Sequence, residues 1–193
     1  MQLRTGARAV CLQILALAMP VAAFAQNAYL VRSDLPRNSP GTVVVPTVPA
    51  TYGAFPVISF SQSFSRSVNG SALDKPQCGN VVIRKPADVS SVGYLLKAVG
   101  NTAIPAVTLF YTTPGATAGT VVVPVKVVLR NVFVAEFTQG DDTAGASVVK
   151  LNDLIQLSAS IFEVTQTQVL ANGTLGSVAK FGWNCVLNTS VAF

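Results

Sequence analysis

Histidine is entirely absent from this 193-residue sequence, and charged residues make up only 11% of it. Without histidine the chain lacks the commonest general base and the commonest metal ligand, and also the histidine-dependent serine and cysteine nucleophiles. An average globular protein has roughly a quarter charged residues. The scarcity of charge therefore predicts a surface that is partly covered by another copy of the chain. A monomer with a polar surface of Ser, Thr, Asn and Gln is the alternative.

Cysteine is also scarce, with residues at positions 11, 78 and 185. The long separation of Cys78 from Cys185, and the lack of a C-x-x-C pair, argue against a zinc site. Cys11 lies in an N-terminal segment that we expect to be removed. An even pair in an exported protein predicts a disulfide between Cys78 and Cys185. Two buried free thiols are the alternative.

The first 25 residues have the pattern of a secretory signal peptide. Arg4 and Arg8 precede a short apolar stretch, and Ala23-Phe24-Ala25 forms an A-x-A cleavage site. The apolar stretch is shorter than the about 20 residues that span a membrane. We therefore expect cleavage between Ala25 and Gln26, a secreted or periplasmic location and no stable membrane insertion.

Residues 26–193 are expected to form a single domain, since 168 residues suit one core. Without Arg4 and Arg8 this part has 11 basic and 8 acidic residues, a net charge of +3. Such a mild charge, with no basic cluster, does not indicate a nucleic-acid partner.

Runs of Val, Phe, Thr and Ile between Pro- and Gly-rich stretches predict β-strands. The expected strands are Ala28–Arg32, Pro56–Arg66, Gly79–Arg84, Val107–Thr112, Val121–Phe137, Leu154–Gln168 and Ala179–Asn188. The fifth is longer than an ordinary strand, so Pro124 or Asn131 is expected to mark a bend or bulge. Alternation in the last strand predicts one core-facing set, consisting of Phe181, Trp183, Cys185 and Leu187.

One short helix is expected before the fourth strand. Asp88 or Ser90 can cap its start, and Gly100-Asn101 can end it. A stripe at helical spacing is predicted to pack on the core, with Val92, Leu95, Leu96 and Val99 as its members. The predicted fold class is mainly β, a small closed antiparallel β-barrel with one short flanking α-helix.

No pattern in the sequence predicts catalysis, a metal or a cofactor. Asp141-Asp142 could serve glycoside hydrolysis or bind calcium, but the neighbouring glycines favour a solvated turn. Arg84-Lys85 with Asp88 favours a helix cap and a local ion pair over a charged site. Tyr94 and Trp183 could stack on sugars, although isolated aromatics usually lie in a core or interface. We therefore expect a protein that is not an enzyme.

Several segments, in a common order, resemble the Hcp family of haemolysin-coregulated proteins, the tube proteins of bacterial type VI secretion systems. Residues 82–88 with Ser90-Ser91 resemble the family's "I-T-K-x-x-D-x-S-S/T" stretch, and Leu95 to Ala98 resemble its helix. The strands that resemble family strands are 28–31 with Asp34, 58–64, 104–109, 128–134, 157–164 and the closing 181–184.

The resemblance implies a non-catalytic subunit that forms a homo-oligomeric ring, a hexamer in the family, which can stack into a tube. Other secretion-system proteins or cargo would be further partners. Arg66 to Gln77 matches the family's ring-contact loop, which gives the candidate stacking residues Arg66, Asn69, Gly70, Asp74 and Lys75. Family tube proteins carry no leader, so this chain resembles an exported, Hcp-like member. The alternatives are an extracellular filament subunit and a small secreted β-barrel module that binds glycans or proteins.

Overall fold

Long strands dominate the fold, because Val, Ile, Leu and Phe recur at alternate positions and suit a sheet with one buried face. A computed structural model describes residues 27–36, 45, 52–66, 68–69, 72–73, 75–118, 120–141 and 151–192. The predicted signal peptide at 1–25, with the cleavage site at Ala25 and Gln26, lies outside the described residues.

The described part of the chain contains thirteen strands and one helix. In chain order they are β1 (Asn27–Pro36), β2 (Tyr52–Val57), β3 (Ser59–Ser61), β4 (Phe64–Ser65), β5 (Val68–Asn69), β6 (Ala72–Leu73), β7 (Gln77–Cys78), β8 (Val81–Pro86), α1 (Ser91–Gly100), β9 (Ile104–Pro114), β10 (Val121–Asp141), β11 (Leu151–Val169), β12 (Leu175–Asn184) and β13 (Thr189–Ser190). The prediction of a mainly β fold with one short helix is confirmed, and α1 ends at Gly100 and Asn101 as expected.

One antiparallel sheet contains most of the strands, in the order β13-β12-β11-β10-β9-β1-β2. β8 pairs with the first part of β11, and β3 pairs with β8. Ile58 alone separates β2 from β3, and its amide donates to the Arg84 carbonyl at 2.8 Å. Residues 52–61 therefore pair with β1 at their start and with β8 at their end. The order of paired strands is an open path, so closure of the barrel stays a prediction.

The hydrophobic core lies on the inner face of this curved sheet and draws on nearly every long strand. The large apolar side chains that are fully buried there are Leu30, Phe55, Ile83, Ile104, Leu109, Leu129, Ile155, Leu157 and Phe162. Burying one such side chain stabilises the fold by about 1.5–3 kcal/mol. The main cluster links β1, β2, β8, β9, β10 and β11 with Tyr94 of α1, and a smaller cluster of Val31, Val45, Ala54 and Phe110 lies apart from it.

The predicted irregularity in the long strand is confirmed at Pro124. β10 pairs with β9 through Val122 and then through Val125, while its partner residue moves by only two positions. One extra residue is thus accommodated next to Pro124, which cannot donate to the ladder. Asn131 has a φ of 49°, and its side-chain amide donates to Ser160 Oγ at 2.9 Å. The strand continues past the expected Phe137 to Asp141.

Two other strand predictions need correction. The expected strand Pro56–Arg66 is divided into three short strands, because the chain bends at Ile58 and leaves the main sheet after Ser61. The last long strand begins at Leu175 instead of Ala179 and ends at Asn184.

The core-facing prediction for the last strand is wrong for Phe181 and Leu187, which are 46% and 70% exposed. β12 has β11 on one side and pairs with β13 through Trp183 and Asn184, so it extends along the sheet edge beyond the core. The chain then turns at 185–188, which moves Leu187 off the strand. Trp183 and Cys185 are half-buried, and Cys185 packs against the core.

A disulfide joins Cys78 to Cys185, the pair that the sequence predicts, with 5.9 Å between the Cα atoms. Cys78 lies in β7, which pairs with β4 but with no strand of the main sheet. Phe64 in β4 packs edge-on against Phe162 and Phe181, with centroid distances of 5.1 and 5.5 Å. The disulfide and these rings together fix the two ends of the segment from β4 to β7, residues 64–78, which we name the arm and whose described strands pair outside the main sheet.

Replacing both Cys78 and Cys185 by Ser should lower the free energy of unfolding by about 4–5 kcal/mol, because the bond closes a loop of over a hundred residues in the unfolded chain. Urea unfolding of the exported protein, with and without a reductant, measures this loss. The reduced wild-type protein and the double variant should unfold at the same urea concentration. Two thiols that can be alkylated without reductant would contradict the assignment.

Candidate functional site

The helix α1 is the element that sequence reasoning placed incorrectly. Its buried residues are Ser91 and Tyr94, whereas the stripe that was predicted to pack on the core is exposed. We name this stripe, together with Val89 two residues before the helix, the α1 apolar face. Its members are Val89, Val92, Leu95, Leu96 and Val99, each between 46% and 74% exposed. The prediction was wrong because α1 packs on buried charged side chains of the sheet, which we name the charged seat.

Lys85 and Asp153 form the first part of this seat. Lys85 follows Val81 and Ile83 on the buried face of β8, and Asp153 lies directly opposite it in β11. Both residues are 0% exposed. The Lys85 ammonium is 3.1 Å from Asp153 Oδ2 and also donates to the Pro86 carbonyl at 2.7 Å. A buried pair of this kind is tolerated only when its remaining polar atoms are also bonded.

The start of α1 supplies several of those bonds. Ser91 Oγ donates to Asp153 Oδ2 at 2.5 Å, and it accepts the Asp88 amide at 3.0 Å. Gln139 from β10 donates to the other oxygen, Asp153 Oδ1, at 3.0 Å. Asp88 Oδ1 lies 3.1 Å from the Lys85 ammonium and accepts the Ser90 amide at 2.8 Å. The first turn of the helix is therefore attached to three strands through one polar network.

This network accounts for the charged motif of the sequence. The expected local ion pair between Lys85 and Asp88 is present, while Ser90 occupies the N-cap position without a side-chain cap bond. Sequence reasoning missed Asp153 and Gln139. Asp153 alternates with Ile155 and Leu157 on the core face of β11, so period-two alternation could have identified it as a buried carboxylate.

A second polar cluster holds the middle of α1. Arg32 in β1 is 2% exposed and donates through Nε and Nη2 to the Asp34 carboxylate, at 3.0 and 2.8 Å. Its guanidinium lies over the Tyr94 ring, 4.5 Å from the centroid, a favourable cation–π contact. Lys97 approaches Asp34 at 3.7 Å. α1 is thus anchored to β1 as well as to β8 and β11.

The charges in this cluster are maintained against burial. Desolvation alone would raise the pKa of Asp34, but hydrogen bonds and charge interactions with Arg32 outweigh it and hold that pKa below its ordinary value. Desolvation opposes the charge on Arg32 too, but its hydrogen bonds to Asp34 and the electrostatic interactions with Tyr94 and Asp34 outweigh it and raise the pKa of Arg32. Burial raises the pKa of the Tyr94 phenol well above its ordinary value. Arg32 and Asp34 therefore remain a charged pair beneath the helix.

These clusters position a helix, and the pair at the centre of the first cluster is closed to solvent. Lys85 and Asp153 are fully buried, and so is Tyr94, which removes it as a sugar platform. Asp141 ends β10 opposite Leu151, and Asp142 lies outside the described residues. Within the part of the chain that the structure describes, no group of three or more His, Cys, Asp or Glu residues could hold a metal, and no helix is long and apolar enough to cross a membrane.

The candidate stacking residues fall on the arm. Arg66 is exposed just after β4, Asn69 lies in β5, and Lys75 is exposed just before β7. β5 pairs with β6, so the chain folds back on itself between them. Gly70 and Asp74 lie outside the described residues. The described stacking residues therefore lie on one segment whose base is fixed by Phe64 and the Cys78–Cys185 bond.

Replacing Lys85 by Met should destabilise the protein by about 3–5 kcal/mol, because Asp153 then keeps a buried charge without its cation. Urea unfolding monitored by circular dichroism measures the change. Lys126→Met is the matched control, since Lys126 is exposed on β10 and such a change usually alters stability by no more than about 0.5 kcal/mol. Equal effects of the two substitutions would contradict the assigned role of Lys85.

The sequence matches no protein-family model and no curated protein, but the fold is similar to several solved structures. A type six secretion system protein superposes with a TM-score of 0.71 at 16% identity, over 88% of this chain and 100% of that chain. Hcp1 from Salmonella typhimurium gives 0.60 at 16% identity, over 86% and 99%. The secreted protein Hcp3 from Pseudomonas aeruginosa gives 0.52 at 16% identity, over 83% and 98%.

These similarities extend over almost the full length of the other chains, so they concern the whole architecture and not a shared β-hairpin. At identities this low they establish the fold alone. The curved antiparallel sheet, with one helix held on a charged seat, is the Hcp-like fold that the sequence motifs indicated.

Proposed function

We propose that this protein is a non-catalytic structural subunit, similar to type VI secretion tube proteins, whose copies assemble into rings or stacked tubes. The observation that carries the proposal is the likeness to a type six secretion system protein over 88% of this chain and all of that one. The exposed α1 apolar face supports it, because a cluster of five exposed aliphatic side chains, four of them on one helix face, is typical of a surface that another protein covers. A ring of six copies follows from the family resemblance.

We propose further that the sheet closes into a barrel. The support comes from residues 52–61, which pair with β1 through Tyr52–Val57 and with β8 through Ser59–Ser61. The Ile58 amide continues the contact with β8 between these two strands. One bent segment thereby connects the two sides of the sheet, and closure would leave β12 and the arm as projections.

Export of this subunit is the third part of the proposal. The signal-peptide pattern at 1–25 supports it, and so does the Cys78–Cys185 disulfide, since such bonds persist in oxidising compartments. Residues 26–193 would then be the single mature domain. N-terminal sequencing of the exported protein should begin at Gln26, after allowance for cyclisation of that residue. Exported material that retains Met1 would contradict the proposal.

Purified mature protein should sediment as a ring-sized oligomer whose population rises with concentration. A ring arises when one surface binds a different surface on the next copy and the rotation closes. Analytical ultracentrifugation over a wide concentration range, combined with negative-stain microscopy, provides the measurement. A monomer at every accessible concentration would contradict assembly and favour the secreted binding module.

Deleting residues 69–73 should abolish stacks of rings and leave single rings intact. The deletion removes the β5–β6 pair but retains Phe64, Cys78 and the β4–β7 pair that fix the base of the arm. Microscopy counts the stacks, and an intact disulfide together with an unchanged circular dichroism spectrum shows that the domain still folds. Stacks as long as those of the wild type would contradict the role of the arm.

A further inference from the structure

We propose that the α1 apolar face of one copy docks onto the exposed end of the β11–β12 hairpin of the next copy. The inference rests on the proposed self-assembly and specifies the two surfaces that meet. We name the second surface the hairpin end and define it by its exposed apolar residues, Leu170, Leu175 and Val178.

The orientation of α1 makes its apolar face available to a partner. The inner side of the helix is committed to two charged clusters, through Ser91 to Asp153 and through Tyr94 to Arg32. Rotating α1 to bury its aliphatic side chains would leave the buried Lys85 and Asp153 with fewer partners, which is costly. The apolar face therefore stays outward, where the described part of the chain leaves it exposed.

The hairpin end is a second exposed apolar surface, and it is held in a defined conformation. Its turn contains Gly173 at a φ of 79°, where a Cβ would lie only 2.7 Å from the Ala116 amide nitrogen of the β9–β10 connection. The close approach fixes the turn against that connection. β12 pairs with β11 on one side, while on the other side β13 reaches only Trp183 and Asn184. The exposed apolar side chains thus flank a strand edge that the described strands leave open at 175–181, since the Gly182 carbonyl already accepts the Val191 amide at 3.0 Å.

The positions of the two surfaces make a second copy the fitting partner. The seat of α1 includes Asp153 near the start of β11, whereas Leu175 pairs with Val169 at its end. A strand extends about 3.3 Å per residue, so up to roughly 50 Å of strand separates these points. One copy cannot press its own α1 apolar face onto its own hairpin end. Contact between copies joins one end of β11 to the opposite end of the next, which is the heterologous geometry that produces rings or filaments.

The exposed apolar area of the two surfaces, and the small number of charged residues near them, are consistent with this contact. The exposed apolar residues of the two surfaces together present on the order of 1,000 Å², about the minimum total for a specific interface. Lys97 beside the α1 apolar face is already near Asp34, and Lys180 is the one charged residue in 170–181. The interface therefore excludes water from few charged groups, as the centres of stable interfaces do.

The test uses three variants of the mature, disulfide-bonded protein. Leu96→Glu with Val99→Glu blocks the α1 apolar face, and Leu175→Glu with Val178→Glu blocks the hairpin end. Val186→Glu is the control, because Val186 is 73% exposed, like Val99 at 74%, and belongs to neither surface. Sedimentation should show that each double variant is monomeric, with at least a tenfold weaker self-association, while the control assembles like the wild type.

Mixing the two double variants provides the decisive readout. Each retains one intact surface, so an equimolar mixture should form a one-to-one dimer and nothing larger. Two monomeric variants that do not combine would overturn the inference. A hairpin-end variant that still self-associates would also overturn it, and would indicate that α1 faces pair with each other. An α1 variant that assembles as well as the wild type would overturn this inference and leave the proposed function standing.

A monomeric wild type would contradict the proposed function, and binding of that monomer to neutral phospholipid vesicles through α1 would assign the face to lipid. Leu96→Ala with Val99→Ala serves as a milder variant should the charged one fail to fold.

Discussion

The buried ion pair between Lys85 and Asp153 determines which side of α1 faces the sheet. Both side chains lie on the core face of their strands, where a charge without a partner is costly. Ser91 at the start of the helix donates to Asp153, and Asp88 just before it approaches Lys85. The helix is therefore placed by polar groups, and Arg32 repeats the arrangement under Tyr94. Because the polar groups are inside, the aliphatic side chains of α1 are outside.

The outward orientation of α1 also separates the apolar residues that form the core from those that lie on the surface. The sheet keeps the large apolar residues of six strands in one core cluster, to which α1 adds only Tyr94 and the partly buried Ala98. The arm and the β11–β12 hairpin extend from the other parts of the sheet. The Cys78–Cys185 bond holds the arm at its base, and the close approach of Gly173 to Ala116 holds the hairpin turn. A chain with few charges can then present defined apolar surfaces to another copy of itself while its own core stays closed.

Period-two alternation predicted the strands well, since each long strand has one buried face and β-branched or aromatic residues to fill it. The helix ends were also predictable, because Gly100 and Asn101 favour the left-handed conformation that terminates α1. The candidate site was harder to predict from the sequence. The helical stripe at Val92 and Leu96 identifies an apolar side, but the pattern does not say whether the protein's own core or another molecule covers it.

The sequence signals that would have predicted the orientation of α1 lie in the strands. Lys85 shares the buried face of Val81 and Ile83, and Arg32 shares that of Ala28 and Leu30. Charges at core-facing positions require partners, and the nearest short polar segment is the start of α1. The position of the last strand could not be predicted in this way, because Phe181 alternates like a core residue although β12 extends beyond the core along the sheet edge.

Hydroxyl-radical footprinting of α1 tests the central claim most directly. In the dilute, unassembled protein, Leu95, Leu96 and Val99 should be oxidised readily, and Tyr94 should be protected. At concentrations where rings form, the three aliphatic residues should become protected as well. Protection of Leu96 and Val99 in the dilute monomer would contradict the account, because it would show that the apolar side of α1 packs on the protein's own core.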